Sequence, residues 1–516
     1  MKNPWVWLLV FLIVLFWAPT VFFQPYISPG DKGRDLYAFW MASEGQVPGR
    51  DFWWQYGPVT PFYFAPFFIL GGVNLVSFRI GLGVLYLICA LLNFRALRLF
   101  VSRPVAFLSS LAYLMLDVQY TFNHIGAIPF LILGIFSLWK FFLTERVRWC
   151  YAGTLALAAM AAVKINTGVT SFAAFYFTLL LYRRLPLKHL AILPLLFGGL
   201  VFGVYAAVFW GLPLSWVDYC LTLRKVYRAW GGSPWGNLLS FSRYFLFEDP
   251  HRLWGAGLFL TLGGLAVIAF KKKGSEKERG LFLPLSGSLV LVLLANLSDF
   301  LLIGGFARVD FWSFPVLALL GGLWMEGAGQ LFKRPLKIFL WGLGFAGVIT
   351  LPFNRYVLDS LACFTPERFL DLPRGKVYLG GEASNVKVIQ EGAQFLLKNT
   401  RPDQFLLAIP YDPLYLFLAE RRHAVREMLF LAMVPLHPRQ EEEIIRQIEA
   451  KEVPFVILAN HYRTEGHAAG TFGETHCQKL ARYIFDHYQE VKTLGPWEAD
   501  PNKFHAVKIL RRNVLS

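Results

Sequence analysis

Long apolar runs, separated by short stretches rich in arginine and lysine, set the pattern of the chain from its first turn onward. Eleven such runs of roughly 15 to 22 residues fall near 5–23, 78–94, 104–122, 127–143, 149–163, 167–182, 189–210, 254–270, 281–298, 309–325 and 336–352, each read as a membrane-spanning helix. The fifth and sixth are the shortest. The stretch 58–74 is apolar too, but counting it as a span moves Arg95, Arg98 and Arg103 to the other side of the membrane. It is therefore expected to be an interfacial or re-entrant segment. The first run follows Lys2 and lacks a small-x-small cleavage site before Gln24, so it reads as an uncleaved helix and not as a signal peptide.

The charges between the runs orient them. With the N-terminus inside, Arg95, Arg98, Arg103, Arg146, Arg148, Arg183, Arg184, Lys188, Lys271, Lys272, Lys273, Lys277, Arg279, Lys333, Arg334 and Lys337 all fall in inner loops. The short outer loops hold little more than Lys164 and Arg308, which is the asymmetry the positive-inside rule requires. An odd number of spans then puts the C-terminus outside. Three regions share the outer face: the loops 24–77 and 211–253, and the tail from 353.

The tail has a different rhythm. Apolar runs shrink to strand length at 376–379, 405–409 and 455–458, and alternate with amphipathic helical patterns at 386–397 and 441–450, predicting a small α/β domain of about 150 residues. The expected fold is thus a polytopic α-helical membrane protein of about eleven helices, N-terminus inside and C-terminus outside, over 1–352. A soluble α/β domain over 353–516 follows it.

Composition sharpens this picture. Of 516 residues 56% are hydrophobic and 16% charged, against about 25% charged in soluble chains, and the mean hydropathy is +0.46. The net charge of +16 is strung between the apolar runs and not gathered on one polar domain, so nucleic acid is not an expected partner. The five cysteines, Cys89, Cys150, Cys220, Cys363 and Cys477, form no CxxC; a Cys363–Cys477 pair is the one pairing open if both lie outside. His461, His467, His476 and Cys477 match no zinc spacing and read as a polar loop. GxxxxGK[ST], GxSxG and HExxH are absent, which argues against nucleotide hydrolases, serine esterases and zinc proteases of the common kinds.

The chemistry concentrates in the first outer loop, SPGDKGRDLYAFWMASEGQVPGRDFWWQYGPVTPFYFAPFFILGG at 28–72. An amphipathic helix is predicted from near Arg34, with a turn at 45–49 and an aromatic return. Trp40, Trp53, Trp54, Tyr56, Phe62 and Tyr63 are side chains that settle at a membrane interface, so the loop is expected to lie on the bilayer surface with Asp31 and Asp35 at headgroup level. Two roles stand open for these acids. They are favoured helix N-caps, or one is a base for an acceptor hydroxyl.

The order of Asp31 and Gly33, Asp51 and Phe52, then Gly57 and Pro58 before an apolar Ala-Pro-Phe-Phe run resembles the first periplasmic loop of GT-C glycosyltransferases. The resemblance is to the branch of protein O-mannosyltransferases and lipid A aminoarabinose transferases. It implies an inverting transfer of a sugar from a polyprenyl-phosphate donor to an acceptor hydroxyl at the outer face of a bacterial inner membrane. It puts the catalytic base on Asp31 and a substrate-facing loop around Asp51 and Tyr56. Lys32 stands where that branch has a second acid, so a paired-acid role is lost or has moved to Asp35. No cofactor is expected, and dependence on a divalent metal is left open.

A leaving phosphate calls for cations. Arg224, Lys225 and Arg228 lie within five residues of the second outer loop, with Arg224 and Arg228 on one face of a helical segment; contact with anionic membrane lipids explains them equally. Lys164 and Arg308 are further candidates, each with an anchoring role as the alternative. Asp117, near Asn123 and His124, is a candidate second acid or metal ligand. The acceptor is left open among glycan, lipid and protein. Two rival readings remain, a transporter or flippase for lipid-linked sugars and a catalytically silent sugar-binding membrane protein.

Overall fold

A computed structural model of the chain describes residues 4–24, 28–54, 56–115, 126–182, 185–208, 263–268, 284–295, 306–333, 358–432, 436–460, 471–500 and 504–513, with 210, 236, 335–336, 338 and 342. At 114–115, 306–314 and 359–360 it describes the backbone alone. The chain divides into two units, one formed by 1–18, 82–207 and 231–357, the other by 19–81, 208–230 and 358–516.

The first unit is built of apolar helices. In α1 (Pro4–Trp17) only Leu9, Ile13 and Phe16 are buried, while Trp7, Phe11, Val14 and Leu15 are exposed. One buried stripe on an otherwise apolar helix is the pattern of a surface that faces lipid. Three helical stretches among the described residues are long and apolar enough to cross a membrane: Pro4–Val21, Leu75–Leu97 (α4, which begins in the second unit) and Leu187–Val208. The apolar helices Ile128–Thr144, Arg148–Val163, Ile165–Leu181 and Pro284–Ala295 are shorter. Together they have the make-up of a polytopic membrane protein. The runs expected at 127–143, 149–163, 167–182 and 189–210 are helices with ends within a few residues of those read from the sequence. The run near 104–122 starts as the nine-residue helix α5 (Arg103–Leu111) and tightens into a 3-10 turn, Ala112–Met115. The runs near 254–270 and 336–352 lie largely outside the described residues.

Small residues bring these helices together. A Cβ on Gly168 would lie 2.3 Å from Ala161 Cα, and one on Gly153 2.6 Å from the Phe175 ring, so backbones and rings occupy the space of side chains, as packing in lipid favours. Polar side chains add directed bonds. The Asn93 amide donates to the hydroxyls of Ser109 and Ser110 at 3.2 and 3.1 Å, and Ser102 donates its N–H and hydroxyl to Glu326.

The second unit joins the segment 19–81, which holds the first loop, to the C-terminal α/β segment. Its main sheet runs β5-β4-β6-β8-β7, from β4 (Phe405–Ile409), β5 (Arg422–His423), β6 (Phe455–Ala459), β7 (Tyr488–Leu494) and β8 (Val507–Arg512). Strands β5, β4 and β6 are parallel, and β8 is antiparallel to both β6 and β7. Every residue of β6 is buried, because helices cover both faces, and such strands read as unbroken apolar runs. On one face Leu407, Ile409, Val456 and Leu458 share a core with Ile444 and Ile448 of the helix Pro438–Ala450 and Leu480 and Ile484 of the helix Gln478–His487. On the other, Phe395 of the helix Ala383–Asn399 meets Phe455 edge to face at 5.6 Å. Cys477 belongs to that first core, and His476 is buried with its Nε2 against the Phe430 carbonyl at 2.9 Å. The polar-loop reading is corrected at these two positions, while His461 and His467 lie outside the described residues. Cys363 and Cys477 are both free thiols, so the pairing considered for them is not made.

A second, three-stranded sheet ties the two halves of this unit together. Strand β1 (Phe23–Gln24) pairs in parallel with β3 (Val377–Leu379), which pairs antiparallel with β2 (Phe369–Leu370). Beside it the helix α2 (Asp31–Ser43) packs on α3 (Val59–Gly71) and on the short helix Leu414–Leu418. Interior positions 32–42 of α2 are all buried. Phe39 stacks on Phe64 at 4.4 Å and faces Phe78 at 6.1 Å. Trp40 lies under the Arg374 guanidinium at 3.8 Å, and Trp54 is 2% exposed and donates to the Gly57 carbonyl. The expectation that these tryptophans lie in a membrane interface is therefore corrected: protein covers them. Phe62, at 42% exposed, is the member of the group that stays open.

His423 carries a consequence for stability. Its ring is buried between the Val425 carbonyl, 2.8 Å from Nδ1, and the Ala408 N–H, 3.4 Å from Nε2, so burial pulls its pKa down from 6.5 to about 4. The unfolded chain then takes up this proton before the folded one does. Stability is fully present above the unfolded value and is lost as pH falls towards about 4, by roughly 3 kcal/mol in all. Thermal unfolding of the full chain in detergent between pH 7 and pH 4 is expected to show this slope, and His423→Gln to flatten it. An equal slope in both proteins would remove His423 as its source.

Candidate active site

The helix α2 begins at Asp31 because the chain turns at Gly30, and no side chain caps its N-terminus. The capping role weighed for Asp31 and Asp35 is thereby corrected; Asp31 is the first helical residue and Asp35 lies a turn further in. What holds the helix start is a close approach to the C-terminal segment. A Cβ on Gly33 would sit 2.4 Å from Leu414 N, and one on Gly30 2.8 Å from the Tyr411 ring. The Leu414 N–H donates to the Pro29 carbonyl at 3.3 Å. Glycine at these two places is what lets backbone meet backbone.

That approach closes a polar cluster around Arg34. Its side chain is 1% exposed and its Nε and Nη2 both donate to Asp35 Oδ1, at 2.9 and 2.6 Å. Nη1 donates to Asp31 Oδ1 at 3.1 Å and to the Tyr411 hydroxyl at 2.7 Å. The rings of Tyr56, Trp54 and Tyr411 surround the guanidinium at 5.1, 5.7 and 5.9 Å. Burial alone lowers the pKa of Arg34, but Asp35, Tyr411, Tyr56 and Asp31 raise it further than burial lowers it, so the cation is permanent. Burial, helped by Asp31 and Asp35 and opposed by Arg34, raises the Tyr411 phenol well above its ordinary range; it stays a donor.

Asp31 is the open member of the cluster. Its Oδ1 accepts from Tyr411 at 2.6 Å as well as from Arg34, and its side chain is 51% exposed. Among the described residues Oδ2 accepts no hydrogen bond. A carboxylate with one oxygen held and the other open to solvent can take a proton from a hydroxyl brought to it. Asp35 is fully buried against Arg34 and offers no such oxygen to solvent. Lys32 is 2% exposed, its ammonium turned into the protein.

The remaining candidates fall as follows. Tyr56 lies on the Arg34 cluster. Asp51 closes the turn after α2, accepting from the Val47 N–H at 2.7 Å and from Arg50. Lys164 belongs to the other unit, 7% exposed, with an extended backbone that breaks Arg148–Val163 from Ile165–Leu181. Arg308 lies in the first turn of the helix Phe306–Gly329. Arg224, Lys225, Arg228 and Asp117 lie outside the described residues. Among the described residues no three His, Cys, Asp or Glu side chains gather as a metal site. Sequence reasoning did not find Tyr411, 380 residues from Asp31, nor the role of Arg34. The Asp31-x-x-Arg34-Asp35 charge alternation on one helical face was the available signal for Arg34.

The fold is one that solved structures share along nearly the whole chain. In particular, the chain is similar to ArnT from Cupriavidus metallidurans in the apo state, with 13% identity over 98% of each chain and a TM-score of 0.59. It is similar also to that protein bound to undecaprenyl phosphate, with 14% identity, a TM-score of 0.58 and coverage of 100% of this chain and 99% of that one. A third solved structure, the Archaeoglobus fulgidus oligosaccharyltransferase in complex with zinc and sulfate, matches at 12% identity and TM-score 0.48, covering 93% of this chain and 71% of that one. No family model matches the sequence, and no curated protein does.

The Arg34–Asp35 pair makes a direct prediction. Arg34→Ala leaves Asp35 buried without its guanidinium, which costs on the order of 3–5 kcal/mol. Thermal unfolding of the full chain is expected to fall accordingly, and a variant as stable as the wild type would show that the pair does not hold the loop.

Proposed function

We propose that the chain is an inverting membrane glycosyltransferase that moves a sugar from a polyprenyl-phosphate donor to an acceptor hydroxyl. The observation that carries the reading is the Asp31 carboxylate, with Oδ1 tied to Tyr411 and Arg34 and Oδ2 open. The likeness to ArnT along the whole chain supports it, as does the undecaprenyl phosphate bound in one of those structures.

In this reading Asp31 accepts the proton of the acceptor hydroxyl while its oxygen attacks the anomeric carbon from the face opposite the phosphate. The bond from that carbon to the phosphate oxygen breaks, and the phosphate leaves with the electron pair. Charge grows on the leaving group in the transition state, where fixed cations lower the barrier most. Arg224, Lys225, Arg228, Lys164 and Arg308 are the candidates for that task. The aromatic-lined return of the first loop, with Asp51 and Tyr56, borders the substrate. The basic inner loops give an N-terminus in the cytoplasm and a C-terminus outside, with the membrane domain over 1–352, the α/β domain over 353–516 and the reaction at the outer face of a bacterial inner membrane.

The test uses full-length protein in vesicles, supplied with undecaprenyl-phosphate sugars, beginning with the mannosyl form, and a cell-envelope extract as acceptor. Wild-type protein is expected to transfer sugar and release undecaprenyl phosphate; Asp31→Asn is expected to lower the rate about 100-fold or more while keeping the wild-type unfolding temperature. Equal rates would end the base role of Asp31. Movement of intact sugar-lipid across the bilayer with no transfer would favour a flippase.

A further inference from the structure

We propose that Tyr411, supplied by the C-terminal segment, is a positioning residue for Asp31: its hydroxyl fixes one carboxylate oxygen so that the other faces the acceptor hydroxyl. The inference rests on the reading of Asp31 as the base.

The geometry is directional. Arg34 Nη1 donates to the Tyr411 hydroxyl at 2.7 Å, and that hydroxyl donates in turn to Asp31 Oδ1 at 2.6 Å. An aspartate at the first position of a helix, half exposed, is otherwise free to change rotamer. Two donors on a single oxygen remove that freedom. A buried network whose members polarise one another holds such an arrangement more firmly than separate bonds. The position of Tyr411 is itself fixed. Its ring lies against Gly30, where a Cβ would come within 2.8 Å. The chain on either side is held by the bonds Phe430 N–H to Pro410 O and Leu414 N–H to Pro29 O. The C-terminal segment therefore contributes a donor to the reacting carboxylate.

The charged and titratable groups around the phenol are Asp31, Arg34 and Asp35 of α2, and Tyr56 of the aromatic return stands against the same guanidinium. Arg34 and Asp35 are locked to each other, so loss of the Tyr411 hydroxyl acts on Asp31.

The experiment is Tyr411→Phe in the full-length protein, which keeps the ring that Gly30 packs against. Transfer is measured with the undecaprenyl-phosphate sugar that wild-type protein turns over. Expected are a fall in kcat of about 10- to 100-fold and a donor KM within about twofold. A purely structural role would not confine the loss to kcat, so a donor KM that rises in step with the fall in kcat, or a kcat within about twofold of wild type, overturns the inference. Hydrogen exchange of α2 covers the case of a poorly folded variant. Retained protection with lost kcat supports positioning, and deprotected α2 amides overturn it. Asp31→Asn is run alongside. Full activity there removes the base reading itself, whereas an inactive Asp31→Asn with an unaltered Tyr411→Phe removes only the role given to Tyr411.

Discussion

The guanidinium of Arg34 is the interaction on which the first loop depends. It is a buried cation that satisfies two carboxylates and a phenol at once, and in a dry setting an unmatched charge is costly. Asp35 matches it from within the helix, and Tyr411 from the other end of the chain. Each partner is of use only if α2 lies against the segment 411–414, and that contact is possible because Gly30 and Gly33 carry no side chain. A cluster that resembles three neighbouring charges on a helix is in fact a joint between two distant stretches of sequence.

The joint is reinforced all along the loop. Strand β1 enters the small sheet beside β3, the Tyr37 hydroxyl accepts from the His423 N–H, Arg422 pairs with Glu44, and the Trp53 N–H donates to the Arg426 carbonyl. These bonds are spaced from residue 23 to residue 53, so the loop is bound at many points and not hinged at one. Site precision follows from such support, because a reacting group is only as well placed as the elements behind it.

Much of this was legible in the sequence, and the reasons for the rest are physical. Apolar runs at helical length marked the membrane helices because lipid demands them. The buried strands β4 and β6 stood out as short apolar stretches, and 405–409 coincides with the strand observed. Strands β1 and β2 have two residues each, too short to carry a periodicity. The edge strand β7 is buried only at its two ends, Tyr488 and Leu494, and has little apolar signal. Trp40 and Trp54 were misplaced because an aromatic stripe looks the same whether lipid or protein covers it. Within the candidate site, Asp31 was singled out through the motif around it. Tyr411 sits in Ile409-Pro410-Tyr411-Asp412-Pro413, which reads as a turn, and a hydrogen bond across 380 residues leaves no local trace.

The separation between the two halves of the joint also governs the order of biosynthesis. A ribosome makes the first loop early and the stretch around Tyr411 late, with the membrane helices inserted in between. Until the chain has been made past β3 and Tyr411, the first loop has neither the sheet partner of β1 nor the phenol beside Asp31, and contacts so distant in sequence form last. A prematurely terminated product therefore carries its acidic loop unassembled. Assembly of the cluster around Asp31 is in this sense a report that translation has passed Tyr411.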